Sequence, residues 1–292
     1  MVLSEEDYSM NREEDHCMAE QEDHAFKLSK NLAKKHHLAV FDEGQIATRT
    51  KRGMQMAKPS PLLKIWLDSA DGVHPLVDIG CAYGINTLEA VRQGIATIGI
   101  DMGEEHFPLL RELYHELTSN SLRPLGSLQL ISASVLEPLP IDDASLAGIV
   151  MGEVLHFIPG DAAAGVFKQL YAKLIPGGTL CLHGAHLDGM AAMINGPTIL
   201  EEIERKRLAG VRWPGEMTDV SLFMNNILQP LDFPDNAKPD FFHVFSLEQV
   251  RALAEEAGFE IVSLAAAMHP GYPEFMRTST SNLQLHARRP GV

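Results

Sequence analysis

Cysteine is scarce in this chain, and basic charge is outnumbered. Its 292 residues include three cysteines, Cys17, Cys81 and Cys181. An odd number with no metal-ligand spacing argues against a disulfide framework and against a cysteine metal cluster. Cys81 and Cys181 lie in or beside apolar runs and read as small packing residues. No apolar run approaches the roughly 18 residues of a membrane span, and no basic-plus-apolar signal segment opens the sequence. The expectation is a cytoplasmic, reduced protein with no membrane partner. Lys and Arg number 24 against 39 Asp and Glu, a formal charge of −15. That excess is uneven, because residues 1–24 carry nine acids against Arg12 alone. So acidic and apolar-poor a lead is expected to be disordered or loosely held. The rest is only mildly acidic, which argues against a nucleic-acid partner.

What is present is a core-forming composition, 45% hydrophobic and 22% charged, with strands and helices in alternation. From His74 onward HPLVDIG, ATIGID, SLQLISAS, LAGIVMG and TLCLHG read as strands. Between them INTLEAVRQG, EEHFPLLRELYHELTSN and DAAAGVFKQLYAKLI read as helices. SLEQVRALAEEAGF is a further helix stopping at Gly258, and EIVSLAAA and SNLQLHARR close the chain as strands. Alternation at this spacing predicts an α/β fold: a Rossmann-like, doubly wound, mostly parallel sheet with helices on both faces. The last two strands have no helix between them, so the final one is expected to be antiparallel. Two stretches stand outside the alternation. Residues 25–70 form a basic, partly helical N-terminal cap containing His36 and His37; the domain proper is expected at 71–292. An insertion at about 187–245 is too long for a structureless loop and predicts helices of its own, with TILEEIERKRLAG as a candidate.

The nine residues LVDIGCAYG, from Leu76 to Gly84, hold the chemistry. Small residues at Gly80, Ala82 and Gly84 let a ligand approach the backbone at the start of a helix, with Tyr83 inside the loop. Asp101 ends the second strand 21 residues after Gly80, where an acid can take the hydroxyls of a ribose. A dinucleotide fits poorly: Ile85 stands where its third glycine belongs, and Asp78 would repel a pyrophosphate. S-adenosylmethionine carries a sulfonium and an ammonium and no phosphate, so an acidic lip at Asp78 suits it.

These residues resemble the first motif of the class I S-adenosylmethionine-dependent methyltransferases, small-molecule type, with Ala82 in place of the middle glycine. The resemblance covers roughly residues 74–187 and 243–289. GIVMGEVLHFIP resembles that family's fourth strand, and LIPGGTLCLHG the turn before its fifth. It implies a seven-stranded sheet with a reversed last strand, and S-adenosyl-L-methionine as cosubstrate. Asp101 would take the ribose, Ser134 and Val135 would sit near the adenine, and Met102 and Gly152 complete the donor-binding set with Asp78, Gly80, Ala82, Tyr83 and Gly84.

For methyl transfer, acceptor-side groups belong at the carboxyl ends of the fourth and fifth strands. Glu153 and His156 are spaced to share one face, and imidazole makes His156 a candidate base. His183 and His186 in LHGAHLDG are further candidates; with Asp188 they raise the question of a metal, but no metal is expected. Phe223, Met224, Phe233, Phe241, Phe242 and Trp213 of the insertion could wall an acceptor pocket, or simply pack it. The N/D-P-P-Y/F turn of base-flipping amino-methyltransferases is missing at Met151–Val154, and no Cys follows a Pro. The reading is methyl transfer to a small molecule, oxygen slightly preferred. A protein methyltransferase or a non-catalytic donor-binding subunit remains as an alternative, and a homodimer as an open partner state.

Overall fold

Leu-, Ile- and Val-rich runs separated by helices assemble one seven-stranded sheet. The computed structural model describes residues 33–40, 44–48, 53–186, 197–218 and 241–291. The acidic lead and Asp188, Phe223, Met224 and Phe233 lie outside the described residues. The strands are β1 (Leu76–Ile79), β2 (Thr97–Asp101), β3 (Leu128–Ser132), β4 (Leu146–Gly152), β5 (Leu174–Ala185), β6 (Glu260–Ala267) and β7 (Asn282–Arg288). Their order is β6-β7-β5-β4-β1-β2-β3. The first five run parallel, and β7 slots antiparallel between β5 and β6, pairing Asn282 with both Ala185 and Ala267. The expected reversal of the last strand is therefore observed. Strand order turns outward in both directions from the β1–β4 pair, which makes that point the natural ligand crevice.

Among the described residues six helices accompany the sheet: α1 (Leu63–Leu67), α2 (Ile85–Arg92), α3 (Phe107–Asn120), α4 (Gly160–Lys173), α5 (Pro197–Leu208) and α6 (Leu247–Ala257). The period of two in each strand sorts side chains between the faces. Val77, Ile79, Ile149 and Met151 pack with Phe167 and Leu170 of α4 and Val250 and Leu253 of α6. Leu76, Ala147, Val150 and Cys181 pack on the other face with Trp66 of α1 and Ala90 of α2. Trp66 and Phe167 are wholly buried, and sealing such a side chain from water contributes on the order of 1.5–3 kcal/mol.

Local signals explain the ends. Helix α6 starts on a capping box: the Ser246 hydroxyl accepts from the Gln249 amide, and the Gln249 side chain accepts from Ser246 N. It stops at Gly258, whose φ of 99° is the left-handed conformation that ends helices. Helix α5 forms within the insertion as its sequence predicts. Strand β5 begins earlier than TLCLHG suggests; its PGG stretch lies inside the strand and shifts the register against β4 between Leu146 and Gly148.

Candidate active site

The loop after β1 is built by backbone conformations that few residues adopt. Gly80, Ala82 and Gly84 have φ of 77°, 44° and 83°. A side chain at Gly80 would strike Val154 at 2.2 Å, and one at Gly84 would strike Leu110 at 2.2 Å. Glycine here lets the loop seat against the β4 end and α3. Ala82 is alanine in a left-handed conformation, held by Asp101, whose Oδ2 accepts from Ala82 N at 2.9 Å. The other oxygen accepts from Gly103 N at 2.8 Å. Burial works against the Asp101 charge, but His106 and these two amides win and lower its pKa.

Two residues sit differently from the sequence expectation. Asp78 is not a lip. The period of two turns it from Val77 and Ile79 toward α2, where it is 1% exposed and accepts from Thr87 N at 3.2 Å and Thr87 Oγ1 at 2.7 Å. Burial pushes its pKa up to about 6, with the Thr87 and Asn86 hydrogen bonds opposing. Its carboxylate anchors the start of α2. Tyr83 is also turned away from the loop's open side. Its ring packs edge-on to His106, and its hydroxyl donates to Ala47 O at 3.1 Å.

Ala47 belongs to a small ribbon, Ile46–Ala47 paired with Met54–Gln55, formed by the N-terminal preface. Gln55 accepts from Tyr83 N at 3.1 Å, and Gln45 Nε2 donates to Gly271 O at 2.9 Å. The preface thus touches both the loop after β1 and the connection between β6 and β7.

The parallel strands bring Met102, Ser134, Val135 and Gly152 to the same edge as the loop. Met102 is 52% exposed there. Ser134 is tied locally, its Oγ accepting from Leu136 N at 3.2 Å. Val135 is buried, and its carbonyl accepts from Gln169 Nε2 at 3.0 Å. Residues 80–84, 101–106, 132–137 and 152–156, which form this edge, include no Lys or Arg. These described segments, with Asp101 and no Lys or Arg among them, fit a positively charged ligand better than a pyrophosphate.

Across from the loop lies a buried polar cluster centred on Glu153, just past β4. Its φ is 56°, a left-handed conformation that costs a non-glycine residue about 1–2 kcal/mol. The surroundings over-determine it. Its amide donates to His183 O at 2.9 Å, and its carboxylate takes three donors. These are His183 Nδ1 at 3.1 Å, Asn282 Nδ2 at 2.8 Å and the Tyr272 hydroxyl, 3.0 and 2.9 Å from the two oxygens. Burial opposes the charge, but the His183 hydrogen bond and the nearby imidazoles hold the pKa at about 2. Burial and the Glu153 charge push Tyr272 well above the ordinary range, keeping its hydroxyl protonated as a donor.

Of the four acceptor-side candidates, Glu153 and His183 are brought into direct contact. His156 lies nearby, its Nδ1 3.9 Å from Glu153 Oε2, beyond a hydrogen bond. Its ring stacks on Phe242 at 4.6 Å and meets Phe157 edge-on; burial lowers its pKa to about 4. His186 is engaged elsewhere, with Nδ1 3.0 Å from Thr280 O. Trp213 covers Gly160 and donates to Asp161 at 2.8 Å, packing the insertion onto α4, whereas Phe242 walls the His156 side. His269, Tyr272 and Asn282 join this cluster without being among the residues the sequence motifs single out. The run HPGY after β6 was the available signal, a polar turn at the carboxyl end of a strand.

Glu153, His183 and His269 offer ligand atoms within 4.8 Å of one another, the spacing a metal centre would need. The tautomers do not fit. Gly271 N donates to His269 Nδ1 at 2.9 Å, so neutral His269 carries its proton on Nε2 and has no lone pair there for a cation.

Residues 77–182 match a family described as a methyltransferase domain. A carboxy-S-adenosyl-L-methionine synthase of Citrifermentans bemidjiense is 32% identical over 106 residues, 36% of this chain and 42% of that protein. A ubiquinone biosynthesis O-methyltransferase of Pseudomonas aeruginosa is 27% identical over 151 residues, 50% of this chain and 61% of that protein. The chain thus spans less than two thirds of either relative. Among solved structures, an S-adenosylmethionine-dependent methyltransferase of Methanosarcina mazei superposes with a TM-score of 0.58 at 16% identity, over 80% of this chain and 99% of that one. One from Mesorhizobium loti gives 0.51 at 17%, over 78% and 96%. These likenesses establish the fold. Among the described residues no helix is long and apolar enough to cross a membrane.

Proposed function

We propose that this chain, whose residues 77–182 match a methyltransferase domain, is a class I, S-adenosylmethionine-dependent methyltransferase that transfers the donor's methyl group to a small-molecule acceptor, with oxygen the preferred acceptor atom. The observation that carries this reading is the pairing of two unlike sites at one sheet edge: a rim around Asp101 with no Lys or Arg among its described segments, and a cluster of buried imidazoles around Glu153. The first suits a sulfonium. The second supplies imidazole nitrogens where an acceptor would lie.

Transfer from a sulfonium is an in-line displacement, in which alignment of the partners supplies on the order of 7–11 kcal/mol. Here Asp101 holds the loop after β1 through Ala82 and its own turn through Gly103, and takes part in holding the donor, and Gly152 keeps the β4 end thin between the two sites. His156, His183, His186 and His269 are each 7% exposed or less, which favours a compact acceptor that fills an enclosed space. The name of the Pseudomonas relative points the same way, to oxygen. A cytoplasmic place of action agrees with Cys81 and Cys181, both free and buried.

The test is incubation with methyl-labelled S-adenosylmethionine and an extract of the source cells, followed by separation of small molecules from macromolecules. Label in a new small-molecule ether supports the proposal. Label on protein would overturn the acceptor class. A modified sulfonium in place of a methylated acceptor would indicate chemistry on the donor itself, as the synthase's name describes.

A further inference from the structure

Building on the methyl-transfer reading, we propose that Glu153 and His183 act as a carboxylate–imidazole dyad: His183 Nε2 takes the proton of the acceptor hydroxyl, and Glu153 is the positioning residue that fixes the His183 tautomer. An ionised carboxylate only accepts, so the contact of 3.1 Å between His183 Nδ1 and Glu153 Oε1 places a proton on Nδ1. In neutral His183 the lone pair is then on Nε2. That atom is buried without a hydrogen-bond partner. It lies over the bare α-carbon of Gly152, where an added Cβ would be 2.4 Å away. Gly80 of the donor loop approaches the same β4 end, its missing side chain 4.0 Å from Gly152 O. The free base therefore lies beside the strand end that separates it from the donor loop.

Glu153 is itself held on the remaining sides. Tyr272 and Asn282 donate to it, and Asn282 also bonds Gly184 O and the Tyr272 hydroxyl at 3.0 Å each. The Tyr272 ring stacks on His269, 4.7 Å apart and 9° from parallel. His156 has no such contact: its Nδ1 is unpartnered and 3.9 Å from Glu153.

The step balances. The acceptor O–H bond breaks and its proton goes to Nε2. An oxygen electron pair forms the new C–O bond as the C–S bond breaks, leaving that pair on sulfur. A sulfonium and an imidazole become a thioether and an imidazolium, and the new cation rests against the Glu153 carboxylate.

The experiment compares wild type, His183→Ala and Glu153→Gln, using methyl-labelled S-adenosylmethionine, the small-molecule fraction of the extract and a pH series. S-adenosylhomocysteine titration serves as the measure of the donor site. Histidine ¹⁵N spectra of wild type and Glu153→Gln report the tautomer. The groups facing His183 that can titrate are Glu153, His156, His269 and Tyr272. Expected are a loss of transfer of about 10²–10⁴-fold in His183→Ala with partial rescue by added imidazole, and donor affinity within about twofold. Glu153→Gln, which keeps the side-chain shape, moves the acidic limb of the profile, where the base is protonated, to lower pH, and His183 no longer holds a single Nδ1–H tautomer. Wild-type transfer that persists in His183→Ala, or is lost there without rescue while the Glu153→Gln profile stays put, overturns the dyad alone. Absence of transfer by wild type overturns the methyl-transfer reading beneath it.

Discussion

His183 and Gly152 meet so closely that a methyl group cannot be placed between them: a Cβ on Gly152 would lie 2.4 Å from His183 Nε2 and 2.8 Å from its Cε1. Gly152→Ala should therefore displace the imidazole rather than strain the strand backbone. The expected cost is about 1–3 kcal/mol in stability, as for other overpacked sites, with a larger loss in turnover than in donor affinity. Thermal unfolding, donor titration and transfer rate on one preparation check all three.

Asp101 ties the loop after β1 at Ala82 N and its own turn at Gly103 N by two charge-assisted hydrogen bonds. Asp101→Ala removes both and releases the left-handed Ala82. Donor binding should weaken by at least about tenfold, since each bond to a charged group contributes roughly 1.5–3 kcal/mol. Calorimetric titration with S-adenosylhomocysteine reads this directly.

Asp78 predicts a pH-dependent gain on neutralisation. Its pKa is raised from 3.8 to about 6, so folding is favoured by protonation, and that advantage is lost as pH rises through about 6. Asp78→Asn retains an acceptor for Thr87 and carries no charge. It should be more stable than wild type above pH 6, by on the order of 1–3 kcal/mol, and the difference should close below about pH 4. Urea unfolding from pH 4 to 8 measures the curve.

Tyr272→Phe takes one donor from a largely enclosed carboxylate, which should cost about 1.5–3 kcal/mol at pH 7. The sign with pH is opposite to that of Asp78. Glu153 is lowered from 4.5 to about 2, so its stabilisation is present above 4.5 and lost as pH falls toward 2. The gap between Tyr272→Phe and wild type should narrow over that window in the same unfolding assay.

Much of the frame was legible because it depends on local periodicity. The alternation of strands and helices yielded the doubly wound sheet and its reversed β7, and Ser246 and Gly258 marked the ends of α6. The loop was legible from its small residues. Its acids were less so, and for separate reasons. Asp101 ends its strand and faces the rim, whereas Asp78 lies inside β1, where the alternation of side chains turns it under α2. Tyr83 looked like a ligand contact because it sits in the loop, but the preface offers its hydroxyl a carbonyl at Ala47. The Glu153 cluster was half visible. Glu153 and His183 end adjacent strands, a placement that strand order implies. Tyr272 and Asn282 reach Glu153 from 119 and 129 residues away, through a connection whose path no local pattern specifies.

Donor binding tests the central claim most directly. The full chain should be titrated calorimetrically with S-adenosylmethionine, S-adenosylhomocysteine and, in parallel, NAD. The rim of Asp101 without Lys or Arg predicts saturable binding of the first two at one competing site, loss of that binding in Asp101→Ala, and no heat from the dinucleotide. Binding of NAD, or failure of both adenosyl compounds to bind a folded chain, would contradict it.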